Sequence, residues 1–234
     1  MRGSDRICVA LDFSTRAEVL AAARRFGPRV GWLKVGLEAF VAEGPSLVSE
    51  VASGPARVFL DLKLHDIPAT VAHAAAAAAR SRAAMLSVHA SGGRAMLEAA
   101  RKAVAGPGAP KLVAVTLLTS LDARALSDLP MAGQPEAIAR RLARLAEKCG
   151  LDGVVCSATD LPAIRRACGP GFLTVVAGIR PAGGDAADQK RIATPSQAAV
   201  AGADILVVGR AITGASDPDA AIAAIAAEIE SAHV

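Results

Sequence analysis

The sequence predicts a single-domain (β/α)8 barrel spanning residues 1–234, and three observations carry that expectation. Short β-branched or apolar runs alternate eight times with Ala-, Glu- and Arg-rich stretches at helical spacing. Polar residues collect at the C-terminal ends of those runs. The GxGxxG turn of an open dinucleotide-binding sheet is missing after the first run, which continues instead as "ALDFSTRAEV". Strands that alternate with helices form a parallel sheet covered by those helices, and eight such units in 234 residues suit a closed barrel better than a doubly wound sheet.

Taken in order, strands are expected at 7–13 ("ICVALDF"), 31–37 ("GWLKVGL"), 57–63 ("RVFLDLK") and 85–91 ("MLSVHAS"). Four more follow at 111–118 ("KLVAVTLL"), 153–158 ("GVVCSA"), 173–179 ("LTVVAGI") and 205–212 ("ILVVGRAI"). Each is short and rich in Val, Ile and Leu, whereas "TRAEVLAAARRFG", "PSLVSEVASG" and "PEAIARRLARLAEKCG" carry the composition and spacing of helices. The polar residues at the strand ends are Asp12, Lys34, Asp61 with Lys63, His89, Thr119 with Ser120, Ser157, Arg180, and the Gly209-Arg210 pair. In a (β/α)8 barrel these ends form one face, the face that carries active sites.

Composition narrows the function classes. With 53% hydrophobic and 21% charged residues the chain is globular rather than disordered. Cys8, Cys149, Cys156 and Cys168 form no CxxC pair and no Cys/His cluster, so they read as free thiols in a reducing cytoplasm, and no metal site is expected. The start "MRGSDRICVALDF" lacks the apolar core of a signal peptide, and "AHAAAAAARSRAA" is interrupted by charge well short of a membrane span. A net charge of +4 comes with only 3% aromatic residues, which leaves few stacking platforms for nucleic acid; a small anionic substrate accounts for the charge equally well.

The segment "VFLDLKLHDIPATV" concentrates the chemistry. Alternation puts Asp61 and Lys63 on one strand face and turns Leu60, Leu62 and Leu64 toward the helices, with Lys34 on the neighbouring strand. The result is a row of opposite charges at the barrel mouth. Asp66 reads equally as a functional carboxylate and as the N-cap of a helix whose first turn holds Pro68. His65 and His89 read as packed or hydrogen-bonded structural groups, His73 as helical and His233 as terminal. No Ser-His-Asp arrangement emerges. Gly209-Arg210 in "VVGRAITG" and the small-residue stretch "GIRPAGGDAADQKR" with Gly183-Gly184 read as phosphate-binding, the second as a loop that closes over an anion.

Together "ALDF", "LKVG", "DLKLHDIPAT", "LLTS", "GIRP" followed by "DQKR", and "GADILVVGRAI" resemble the orotidine 5'-phosphate decarboxylase family of bacterial type, from the first strand to the eighth. The resemblance implies a cytoplasmic homodimer with shared active sites, acting on a small nucleotide without a cofactor in the last step of de novo UMP synthesis. It implies that Lys63 is the catalytic lysine with Asp61 and Lys34 as charged neighbours, and that Asp12 and Lys34 hold ribose hydroxyls. Asp66 and Thr70 would reach into the partner subunit's site. Thr119 and Ser120 would meet the pyrimidine, and Arg180, Pro181, Gln189, Gly209 and Arg210 would lie near the phosphate. Departures from the family pattern fall at Leu64 and Ala69, beside the charges, where they bear on packing and capping. The alternatives are a magnesium-dependent sugar-phosphate decarboxylase or aldolase of the same barrel group, for which Glu38 is the available extra carboxylate, and a catalytically silent nucleotide-binding barrel.

Overall fold

The computed structural model describes residues 2–181 and 191–232. Eight parallel strands close into a barrel in sequence order: β1 (Ile7–Ala10), β2 (Trp32–Val35), β3 (Arg57–Leu64), β4 (Met85–His89), β5 (Lys111–Val115), β6 (Gly153–Ser157), β7 (Leu173–Ala177) and β8 (Ile205–Val208). β8 pairs back onto β1, with Cys8 opposite Val207. All eight expected strands are present, each starting within one residue of its expected position. Seven end one to four residues early, where the chain leaves the ladder and enters the loops at the C-terminal ends. β3 alone runs past its expected end, to Leu64.

The helices outside the barrel are α1 (Arg16–Phe26), α2 (Leu37–Glu43), α3 (Pro45–Val51), α4 (Pro68–Ala79), α5 (Gly93–Ala103) and α6 (Ala123–Leu126). They continue as α7 (Pro135–Lys148), α8 (Leu161–Ala167), α9 (Pro195–Val200), α10 (Arg210–Thr213) and α11 (Pro218–Ser231). Their starts are written in the sequence. Thr15 and Glu18 form a reciprocal capping box on α1, Thr194 and Gln197 form another on α9, and Asp217 caps α11. Proline opens α4, α7, α9 and α11, where its missing N–H costs nothing.

Strand alternation divides the interior into two cores. Ile7, Val9, Leu33, Val58, Leu60 and Leu86 face outward and pack under the helices. Cys8, Trp32, Phe59, Met85, Val113, Val155, Val175 and Ile205 face inward and fill the barrel. Gly153 belongs to the inward set, and a Cβ there would sit 2.2 Å from the Leu173 carbonyl oxygen, so glycine is what lets β6 and β7 approach. The filled interior leaves room for polar groups at the two barrel ends.

Candidate active site

A cavity of about 430 Å³ opens at the C-terminal ends of the strands. Its floor includes Ala10, Phe59, Val115 and Val207, and its walls carry Asp12, Lys34, Asp61, Lys63, Thr119, Ser120, Arg180, Gly209 and Arg210. Nine residues expected at the site from sequence thus share one concavity.

The acid and base groups along β1, β2 and β3 alternate in sign. The Asp12 carboxylate accepts a hydrogen bond from Lys34 Nζ at 3.0 Å, and Lys34 Nζ lies 3.9 Å from Asp61 Oδ2. That same Asp61 oxygen accepts from Lys63 Nζ at 2.7 Å. Asp61 and Lys34 are buried, whereas Lys63 is partly open to the cavity. Burial alone would pull the Lys34 ammonium down; the charges of Asp61 and Asp12 outweigh it, and the group is raised above its ordinary value. Lys34 is therefore a fixed positive charge at neutral pH. Gly36, two residues on, leaves this ammonium its place: a Cβ there would come within 2.9 Å of Lys34 Nζ and push it aside.

Simple alternation does not describe β3 at this point. The pairing with β4 shifts register between Leu60 and Leu64, and Lys63 takes φ 51°, a left-handed conformation that a lysine adopts only at a cost. Ser87 on β4 holds the irregularity in place. Its fully buried hydroxyl accepts from the Lys63 backbone N–H at 2.9 Å and donates to Asp61 Oδ1 at 2.7 Å. One side chain thus fixes both the strained backbone that aims Lys63 and the carboxylate that receives its ammonium. Sequence reasoning missed Ser87, although the signal was present: it is the polar inward residue of "MLSVHAS", one strand from Asp61.

On the opposite wall, Arg180 Nη1 donates to the Ile179 carbonyl at 2.9 Å. Gly209 does not have positive φ, and a Cβ there would make ordinary contact with Ala10, so the protein's own packing does not demand glycine. Gln189 and the Gly183-Gly184 stretch, expected near the phosphate, lie outside the described residues, as does His233. Pro181 is at the edge of the described chain and does not line the cavity.

Asp66 and Thr70 also stand apart from the cavity, exposed at the start of α4. Asp66 is not the N-cap. The chain is already extended at Ile67, which occupies that position, so the Asp66 carboxylate reaches only the Ile67 N–H, at 2.6 Å. Pro68 opens the helix as expected. His65 stacks on His89 with ring centroids 5.3 Å apart, and Ser91 Oγ lies 2.7 Å from His89 Nδ1. Glu38 accepts from Ser14 Oγ at 2.7 Å and does not line the cavity. Among the described residues no group of three or more His, Cys, Asp or Glu side chains is placed to hold a metal ion, and no helix is long and apolar enough to cross a membrane.

Chemically, the arrangement offers an ammonium on a fixed carboxylate beside an apolar floor, facing arginines across the cavity. It can stabilise and protonate a carbanion at one side while holding an anion at the other. Comparison with known proteins agrees with this arrangement. Residues 5–225 match the Orotidine 5'-phosphate decarboxylase / HUMPS family. The orotidine 5'-phosphate decarboxylases of Anaeromyxobacter sp. (strain K) and Escherichia coli O6:K15:H31 are 56% and 48% identical to this chain, over 97% and 96% of it and 99% and 92% of their own lengths. The crystal structure of orotidine 5'-phosphate decarboxylase from Lactobacillus acidophilus superposes with a TM-score of 0.84 at 34% identity, covering 98% of this chain and 99% of that one. With the charged row, the barrel and these relatives in agreement, the chain belongs to the orotidine 5'-phosphate decarboxylase / HUMPS family.

Proposed function

We propose that the protein converts orotidine 5'-monophosphate to uridine 5'-monophosphate and CO2, and that the cavity at the barrel mouth is the active site. The observation that carries this reading is the row Asp12–Lys34–Asp61–Lys63, which ends in an ammonium open to the cavity. When the C6–carboxylate bond breaks, its electron pair stays on C6, where no adjacent carbonyl spreads the charge. Lys63 stabilises that charge and gives C6 the proton that replaces CO2; the neutral amine then regains a proton from water. Asp61 holds the ammonium in place and crowds the substrate carboxylate, and Lys34 with Asp12 binds ribose hydroxyls. Thr119 and Ser120 face the pyrimidine, while Arg180, Gly209, Arg210 and Gln189, with Pro181 beside them, bind around the phosphate.

Asp66 and Thr70 fit this scheme as residues of a neighbouring site. Both are exposed outside their own cavity, and the apolar Ile67 and Val41 beyond β3 and β2 are 66% and 79% exposed. A homodimer that covers these side chains would carry Asp66 into the partner's mouth. Mixing inactive Lys63→Ala with inactive Asp66→Ala subunits would then restore activity, through hybrid dimers with one site free of both changes. No recovery despite confirmed exchange would return Asp66 to its own subunit's site.

The reading itself is tested by following orotidine 5'-monophosphate decarboxylation with purified, chelator-treated protein. Undiminished conversion supports it. Activity that vanishes with chelator and returns with magnesium favours the metal-dependent sugar-phosphate chemistry instead.

A further inference from the structure

A second buried ion pair lies near the cavity, outside the charged row. The side chains of Arg191 and Asp160 are 9% and 1% exposed. Arg191 Nη1 donates to both Asp160 oxygens, at 2.8 and 2.6 Å, while Nη2 donates to the carbonyls of Leu117 and Leu118 at 3.2 and 3.1 Å. The Arg191 backbone N–H adds a third carbonyl, that of Thr119, at 3.3 Å. Three consecutive carbonyls after β5 are thus gathered by one arginine. Both partners of the pair are themselves anchored. Asp160 is the N-cap residue just before α8, and Arg191 lies two residues before Ala193, which bonds to Gly178 and Arg180 beside β7.

A buried ion pair does little for stability that apolar side chains of similar volume could not do, since desolvation consumes most of the attraction. Arg191 Nε has no partner among the described residues, a further cost. What the pair uniquely supplies is geometry: a planar fork that reaches a carboxylate with one nitrogen and two peptide carbonyls with the other. The segment it grips leads directly into Thr119 and Ser120, which line the cavity. We infer that Arg191, neutralised by Asp160, is a positioning residue that fixes the wall meeting the pyrimidine base, leaving phosphate and ribose recognition to other elements. This inference rests on the reading of the cavity as the nucleotide site.

The test compares wild type with Arg191→Lys, which keeps the charge that Asp160 requires but loses the fork, and with Asp160→Asn. Two ligands are titrated: uridine 5'-monophosphate, and ribose 5-phosphate, which has no base. The expected result for both variants is about a tenfold loss of affinity for the nucleotide, the scale of one charge-assisted hydrogen bond, with ribose 5-phosphate changed less than about twofold. Amide hydrogen exchange at residues 117–121 should accelerate in parallel. Equal weakening of both ligands, unchanged nucleotide binding, or an Arg191→Lys protein that does not fold would overturn the assignment. Wild-type decarboxylase activity is measured separately. If the wild type neither reacts nor binds nucleotide, the reading of the cavity fails, while the exchange rates still decide whether Arg191 holds this segment.

Discussion

The two ends of this barrel use charge in opposite ways. Both have a cavity, about 430 Å³ at the C-terminal mouth and about 500 Å³ at the N-terminal end, so concavity does not distinguish them. At the N-terminal end carboxylates are tied to the backbone. Asp204 accepts from the Thr174 N–H at 2.7 Å as well as from Arg165 at 2.6 Å, and Asp152 repeats the device with the Leu112 N–H and Arg101. Arg57 lies over the Trp32 ring, 4.1 Å from its centroid, and Arg6 donates to the Ala203 carbonyl. These charges close hydrogen bonds that the strand starts leave open. At the mouth, Asp61 is held among the described residues by side chains alone: it accepts from the Lys63 ammonium and the Ser87 hydroxyl and pairs at longer range with Lys34. Lys63 has three donors and spends one of them on Asp61, which leaves capacity for a ligand. Charge secured to the backbone stabilises the barrel, whereas charge secured to other side chains at an open cavity is available for chemistry.

The comparison is most exposed at Lys63. Lys63→Ala should lower kcat by more than about a thousandfold, the scale of a lost acid and charge-stabilising group, while the melting temperature stays within a few degrees of wild type. Retention of more than about a tenth of wild-type kcat, under ~1.4 kcal/mol of lost stabilisation, would remove Lys63 from the mechanism.

The opposite profile is expected at the other end. Arg165 donates to Gly202, Phe172, Thr174 and Asp204. Because the pair with Asp204 is partly open to solvent, Arg165→Met should cost about 2 kcal/mol rather than the larger penalty of a fully buried pair, lowering the melting point by roughly 4–8 °C. kcat should be unchanged wherever the protein is folded. A marked fall in kcat at temperatures well below the melting point would show that the two ends are not separable.

Ser87 sharpens the contrast because it belongs to both categories, holding a backbone N–H and a site carboxylate with one hydroxyl. Ser87→Ala leaves the Lys63 N–H and one Asp61 oxygen short of a partner and releases the left-handed turn at Lys63. Denaturant unfolding should show about 1–2 kcal/mol of lost stability, and kcat should fall roughly tenfold with KM less affected. A loss of stability with intact kcat would make the bulge a matter of folding alone.

The barrel was legible because its signals are local: strand and helix periods, caps such as Thr15 and Asp217, and prolines at helix starts all act over a few residues. The charged row was legible for the same reason, since parallel strands in sequence order put Asp12, Lys34 and Asp61 on successive neighbours. Less visible were features that depend on a specific partner far along the chain. The shift of register at Lys63 needs the Ser87 hydroxyl, 24 residues away, and the Arg191–Asp160 pair spans 31 residues. Neither residue type announces such a partner. Of the two readings open for Asp66, the cap falls away: Asp-Ile-Pro satisfies the composition of a helix start, while the backbone at Ile67 decides which residue is the cap.

The smallest effect separates the ends by pH. His89 closes β4 at the mouth, stacked on His65. Burial, and after it the positive charges of His65 and Lys63, holds its imidazole below the ordinary value of about 6.5. The unfolded chain therefore takes up this proton at a higher pH than the folded one. Well above pH 6.5 the ring is neutral in both states and contributes no pH dependence. As pH falls below that value the unfolded state gains the proton first, so folded stability declines until the native ring is protonated too. His89→Gln removes this contribution. Melting curves of the two proteins should run together between pH 7 and 8 and diverge below pH 6.5, with the variant losing less stability on acidification. Carboxylates at either end titrate in the same direction in both proteins and cancel in the difference. If the curves stayed parallel down to pH 5, His89 would be solvated like any surface histidine, and the mouth would be no more sensitive to acid than the opposite end.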